Sequence, residues 1–495
     1  MNILFVDPEF PDTFWSFKHA LKFVKKKSTS PPLGLLTIAG MLPETWGKRL
    51  VDMNVKALNP TDIQWADLVF ISAMAVQRQS TISVIHQIKE QGEIIIAGGP
   101  LFTMEKEDFP QVDHLILNEG EITLPLFLSD LAHGTAKRVY ETQDFADIRF
   151  SPVPLWELVD MNSYDSMSLQ YSRGCPFGCD FCNVTSLLGH KMRLKTTEQF
   201  IAELDSLYQR GWRRNIFIVD DNFIGNRQVL KEELLPALIE WRKGKKGCLF
   251  ITEASINLSD DDQLIDLMVK AGFTQVFIGI ETPDEESLAE CHKSQNRNRD
   301  LVSSVQKLQS LGLQVMGGFI VGFDNDDERI FNRQIEFIQK SGIVTAMVGL
   351  LQAPTGTVLY QRMLREGRLS KQAYSGDNVD GESNIIPVMN SQKLKEGYRE
   401  ILDSIYSAKT YTDRVISFLK TYNPRRHAVT LQWQEIMALF RSIWELGIKS
   451  KDRHYYWKLF FWTLFHQPKK FPLAITFSIY GYHFNKVNQL HVSAA

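Results

Sequence analysis

Between residues 168 and 350 the chain repeats one pattern about six times, a short apolar run followed by a helical stretch. The runs are SLQYS (168–172), NIFIVD (215–220), CLFITEA (248–254), QVFIGIE (275–281), QVMGGFIVGF (314–323) and TAMVGLL (345–351). Strands separated by crossover helices pair in parallel, since each crossover returns the chain to the same end of the sheet. The succession predicts a partial (β/α)6 barrel over residues 168–370. Thr196 with Gln199, and Ser259 with Asp262, have the spacing of capping boxes that open two of the helices. Chemistry in such barrels gathers at the C-terminal strand ends. The polar residues fall there: Cys175, then Asp220, Asp221 and Asn222, then Glu253 and Ser255, then Glu281, then Asp324.

Residues 1–140 alternate in the same way, with strands in NILFVDP (2–8), KRLVDMNV, ADLVFISAM (66–74), EIIIAGGP (93–100) and HLILNEGE (114–121). They predict a doubly wound parallel sheet, in which ligands bind outside the carboxyl ends of the strands. Ser72, Met74, Gly98, Gly99, Glu119 and Gly120 lie at those ends, where Gly98 and Gly99 either admit a flat ligand or make a tight turn. Residues 141–167, with Pro152 and Pro154, read as a linker. From about residue 375 the alternation gives way to amphipathic helical patterns, so an α-helical C-terminal domain is expected over residues 371–495.

The formal net charge is −3, unevenly spread. From Lys409 onward thirteen Lys and Arg face four Asp and Glu, so the tail is +9 and the rest −12. That acidic remainder excludes nucleic acid as the expected partner. The tail interleaves its basic residues with aromatics, the composition of either a helical core or a membrane-contacting surface. MNILFVDPEF reads as a strand and not a secretion signal, and no run of about 18 uncharged apolar residues occurs. A cytoplasmic chain, membrane-associated at most through its tail, is expected.

Three of the five cysteines fall within QYSRGCPFGCDFCNVTS, at Cys175, Cys179 and Cys182. Gly174, Pro176 and Gly178 favour a loop there over a helix. Zinc would want a fourth ligand, and the nearest, His190, lies eight residues on. A four-iron cluster usually takes four thiolates, so three leave one iron open for chemistry. Cys248 and Cys291 stand alone and read as buried, inert thiols.

CPFGCDFC resembles the Cys-x3-Cys-x2-Cys signature of radical S-adenosylmethionine enzymes, including the aromatic Phe181, and VFIGIE and GGFIVGF resemble their later barrel strands. The upstream region is similar to the cobalamin-binding domain of one large subgroup. The tail, in stretches such as IYGYHF, resembles the helical extension of the subset that includes hopanoid C-2 methylases. Two departures stand out. The Asp-x-His-x-x-Gly pattern that supplies a histidine to cobalt is replaced by DPEFPDTFWSF, and the Gly-Gly-Glu element by VDDNF (219–223).

The resemblance implies that Cys175, Cys179 and Cys182 hold a [4Fe-4S] cluster whose open iron chelates S-adenosylmethionine. Reductive cleavage would give a 5′-deoxyadenosyl radical that takes hydrogen from an unactivated carbon, and methylcobalamin would donate the methyl group. Glu253 and Ser255 would meet the ribose, Asp221 or Asn222 the amino group, and Gly279 and Glu281 the adenine side. The implied partners are a hydrophobic small molecule or lipid as substrate and flavodoxin or ferredoxin as electron donor. A methylthiotransferase would need a further cysteine triad upstream, and residues 1–174 contain no cysteine. Cyclisation or rearrangement without methyl transfer stays open, as does a cluster- or zinc-carrying module without catalysis.

Overall fold

The computed structural model describes residues 1–370, 374–377, 379–425 and 433–492. Leu431 and Gln432, at the head of one expected helical pattern, lie outside the described residues. Strands β1 (Asn2–Asp7), β2 (Gly47–Asp52), β3 (Leu68–Ser72), β4 (Ile94–Gly98), β5 (His114–Ile116) and β6 (Val139–Tyr140) form one sheet in the order β2-β1-β3-β4-β5-β6. Every pairing is parallel. Successive residues of β1 point to opposite faces. Ile3 and Phe5 share one core with Leu35 and Leu36, whereas Leu4 and Val6 join Ile63, Val84 and Ile85 in another. Helices therefore cover both faces, as a doubly wound sheet requires.

A second parallel sheet follows the chain without reversal: β7 (Ser166–Leu169), β10 (Asn215–Ile218), β11 (Phe250–Glu253), β12 (Phe273–Glu281), β13 (Gln314–Val321) and β14 (Ala346–Leu350). Between β7 and β10, a small antiparallel pair, β8 (Ser172–Arg173) and β9 (Arg193–Leu194), brackets the cysteines. The single expected strand at 168–172 is thus split in two. Asp220 explains the break, because its carboxylate accepts from the Tyr171 amide (2.8 Å) and the Ser172 hydroxyl (2.6 Å) and turns the chain out of the sheet.

Thr196 caps its helix by accepting from the Gln199 amide. Ser259 does not cap the next one. Residues 256–260 form a 3-10 turn, and Asp261 instead accepts from the Leu264 amide.

The barrel is unclosed, with β7 and β14 as edges. Residues 13–30 occupy the gap. The Ser166 amide donates to Thr29 O (2.7 Å), while Trp15 donates to Met347 Sδ (3.0 Å) and meets Phe277 edge-on. The long helix Phe471–Val492 backs this segment, stacking Phe484 on Phe14 at 4.3 Å. Helix Ser391–Tyr406 packs against β14, its Tyr406 hydroxyl donating to Ala346 O (2.6 Å), and helix Ala408–Thr421 packs on it through the buried Arg414, which donates to Ile405 O (2.9 Å). Among the described residues no helix is long and apolar enough to cross a membrane.

Candidate functional site

The β8–β9 pair closes the base of the cysteine loop. Gly174, at φ +95°, makes the entry turn, and a Cβ there would come within 2.7 Å of Lys191 O. Only glycine lets the two ends of the loop approach so closely. The Cys175 amide donates to Gly189 O (3.2 Å) and the Cys182 amide to Cys179 O (3.1 Å). Burial pushes all three thiols up, Cys182 to about 12. As free thiols they stay protonated at neutral pH, so a thiolate set here needs the charge of a bound metal group. The Asn222 side-chain amide points at Cys175 Sγ (4.0 Å) and that of Gln295 at Cys179 Sγ (3.8 Å), leaving both sulfurs with a donor. Among the described residues no three His, Cys, Asp or Glu side chains converge as one metal ion demands. Three thiols on one loop, without a fourth protein ligand among the described residues, suit a cluster that leaves one iron open better than a four-ligand structural zinc.

The loop is held from outside by residues 291–296. The Asp180 amide donates to Cys291 O (3.2 Å), and His292 Nδ1 lies 2.8 Å from Asp180 Oδ1. Phe181 meets Phe323 edge-on. Lys293 donates to Glu281 Oε1 (2.7 Å) and lies 6.0 Å from the Phe181 ring. Burial acts to lower its ammonium, but Glu281 and Cys179 outweigh that and hold it above its ordinary value. Glu281 has φ +63° where the β12–β13 register shifts, an uncommon backbone state for a side-chain-bearing residue that here aims a carboxylate at Lys293. Gly279 lies directly beneath the Lys293–Glu281 pair.

On the opposite side stand Asp221 and Glu253. Burial raises Asp221 to about 6, and burial followed by Asp221 and Asp220 raises Glu253 to about 8. Asn222 Oδ1 accepts from the Ser255 amide (3.3 Å) and hydroxyl (3.4 Å), so this residue joins the thiol loop to the end of β11. A cavity of about 460 Å³ opens here, lined by Pro176, Phe177, Asn222 and Ser255 together with Asn226, Arg227 and Asn257. The last three, like Lys293 and Gln295, carried no recognisable spacing in the sequence. Asp324 lies elsewhere, bound to Arg368 at 2.6 Å, and Cys248 and Cys291 are buried.

In the first sheet Ser72, Gly98 and Gly99 lie partly open beside the exposed Met74. Gly99 has φ +89°, and a Cβ on it would come within 2.5 Å of Ser72 Oγ. The bare ends of β3 and β4 suit a flat ligand. Glu119 does not face that opening. It is buried, accepts from Arg193 on both oxygens (2.6 Å each) and from the Ala146 amide (2.6 Å). Gly120 packs against Ile38. Glu121 takes Arg173 in the same manner (2.7 and 3.0 Å); burial would raise its carboxyl, but Arg173 outweighs that and brings it to about 2. Two buried fork-shaped pairs thus clamp β8 and β9 to the first sheet. The segment after β1 carries Phe and Trp where a cobalt-binding histidine pattern would stand, and Trp15 runs to the second sheet instead.

Comparison with known proteins places this geometry. Family models match as the B12 binding domain over residues 23–128, the Radical SAM superfamily over 169–338 and a domain of unknown function over 357–495. An uncharacterized methyltransferase of Synechocystis sp. is 40% identical, covering 99% of this chain and 92% of the relative. The hopanoid C-2 methylase of Rhodopseudomonas palustris is 33% identical, covering 92% and 88%. The cobalamin-dependent S-adenosylmethionine radical enzyme OxsB, solved with aqua-cobalamin, shares the fold at a TM-score of 0.61 and 15% identity, covering 98% of this chain and 80% of that one.

Proposed function

This chain belongs to the radical S-adenosylmethionine methyltransferases that carry a B12-binding domain, and on that premise we propose that it methylates an unactivated carbon of a hydrophobic small molecule or lipid. Its cofactors are a [4Fe-4S] cluster, S-adenosylmethionine and cobalamin. When bound, these supply the electron, the hydrogen-abstracting radical and the methyl group. The protein supplies position and a dry site.

We assign residues 1–140 to the cobalamin domain, 141–167 to a linker, 168–370 to the barrel and 371–495 to the helical domain. Cys175, Cys179 and Cys182 hold the cluster, and Asn222 and Gln295 donate to its sulfur ligands. The methionine head of S-adenosylmethionine is a zwitterion, so it needs one partner of each sign. Asp221 and Asn222 take the ammonium and Lys293 the carboxylate. Glu253 and Ser255 meet the ribose, and Gly279 and Glu281 pack on the adenine side near Phe181, where the missing side chain of Gly279 makes way for the Lys293–Glu281 pair. Ser72, Met74, Gly98 and Gly99 form the open platform for cobalamin, with Glu119 and Gly120 fixing its rim.

The observation that carries the hydrophobic substrate is the inner face of the second sheet. Phe217, Ile251, Phe277, Ile320 and Met347 are partly exposed between buried neighbours on their strands, and Trp15 packs on Phe277 and Met347 at one end of the row. The apolar area that Trp15 leaves uncovered inside the barrel calls for an apolar occupant. The test is anaerobic turnover with methyl-labelled S-adenosylmethionine, a flavodoxin or ferredoxin reductant and a lipid extract. Label in the organic phase supports the reading; a product without added methyl favours cyclisation or rearrangement. A cytoplasmic location, with the helical domain meeting a membrane, accords with such a substrate.

A further inference from the structure

We propose that the helical domain docks on an anionic lipid surface through one aromatic face, which gives the region of unknown function a role and deepens the lipid reading above. Helix Trp433–Ser442 continues without a break as Ile443–Lys449. Along it Trp433, Phe440, Trp444 and Ile448 are 71, 58, 54 and 50% exposed, at steps that keep one stripe outward. Helix Arg453–His466 lies alongside and exposes Phe461, Leu464 and Phe465, the last at 75%. The two rows meet. Trp457 donates to Gly447 O (2.9 Å) and stacks on Phe461, which stacks on Phe465.

These side chains are not misplaced core. The opposite faces of the same helices already pack Ala438, Leu446 and Tyr456 against Ala20 and Phe23 and against Ile475 and Ile479 of the helix Phe471–Val492. Monomers rarely expose a contiguous apolar patch of this kind without a partner.

Charge identifies the partner. Seven Lys and Arg against two Asp and Glu lie between Arg441 and Lys470, a local balance of +5 in a chain of net charge −3. Lys451, Arg453 and Lys469 are exposed and make no ion pair among the described residues. Lysine is depleted from protein–protein interfaces, whereas Trp, Phe and Leu ringed by Lys and Arg is the make-up of helices lying in a lipid interface. With no crossing helix among the described residues, the domain lies on the surface without spanning it.

The test is co-sedimentation of the full-length holoenzyme with sucrose-loaded vesicles of phosphatidylcholine alone or mixed with phosphatidylglycerol. Binding is expected to the mixed vesicles, weaker by about tenfold or more on pure phosphatidylcholine or in about 1 M salt. The double variant Trp444→Asp, Phe465→Asp should lose it while keeping its iron content and circular dichroism. The variant Lys451→Glu, Lys469→Glu should lose only the preference for phosphatidylglycerol. Three results would overturn the proposal: binding to neither vesicle, binding that the aromatic variant leaves intact, or a dimer in light scattering that the aromatic variant dissolves. The assay needs no turnover, and 5′-deoxyadenosine release without vesicles tests the radical chemistry separately.

Discussion

In the first sheet the strand order turns back between β1 and β3; in the second the strands follow one another from β7 to β14. The reversal puts helices on both faces of the first sheet and leaves only its strand ends for a ligand, which makes a platform. Without a reversal, the second sheet keeps one face free of crossover helices, which makes a chamber that Trp15 closes in part. Their charges differ accordingly. At the platform, the buried carboxylates Glu119 and Glu121 are spent on Arg193 and Arg173. In the chamber, Asp221, Glu253, Glu281 and Lys293 stay gathered about the thiols. One sheet thus presents glycine-bearing strand ends whose neighbouring carboxylates are paired off, and the other a charged rim above an apolar interior. The two arginine forks, from the strands that bracket the thiol loop, hold chamber and platform in register.

Substituting a thiol should break that division most completely. Cys179→Ala is expected to remove the cluster and all cleavage of S-adenosylmethionine, whereas Cys248→Ala and Cys291→Ala keep both. Iron content and 5′-deoxyadenosine assays decide it. Breaking the clamp comes next. Arg193→Met leaves Glu119 buried without its partner, which costs about 3–5 kcal/mol and shows as a lower denaturation midpoint and weaker cluster retention. Asp221→Ala should leave iron unchanged and weaken S-adenosylmethionine binding by about ten- to hundredfold, the worth of one charge-assisted hydrogen bond, by anaerobic calorimetry.

The smallest effect is with pH. Glu253 is held up at about 8 by burial, then by Asp221, so the empty fold favours its protonated form. The stability this lends is complete below the unfolded pKa of about 4.3 and is lost as pH rises through about 8. The cofactor-free protein should therefore lose stability between about pH 4.3 and 8, and Glu253→Gln should flatten that slope in urea titrations.

The strands of both sheets were legible because apolar runs such as NILFVD and VFIGI are bounded by turn residues. The thiol loop was legible from its spacing and its glycines. Lys293 and Gln295 were not, since they reach the thiols only through tertiary folding, more than a hundred residues along the chain. The partner of Glu119 was hidden for the same reason. At a strand end it reads as a ligand contact, and only the fold shows Arg193, seventy-four residues away, occupying it. Ser259 failed as a cap because a 3-10 turn moved the helix start, a local choice that composition does not record.

The most direct test of the account is anaerobic turnover of the cobalamin-loaded enzyme with trideuteromethyl S-adenosylmethionine and a lipid extract. The account predicts 5′-deoxyadenosine release together with a lipid-extractable product carrying the deuterated methyl group. Release of 5′-deoxyadenosine with no label in any lipid-phase product would contradict it.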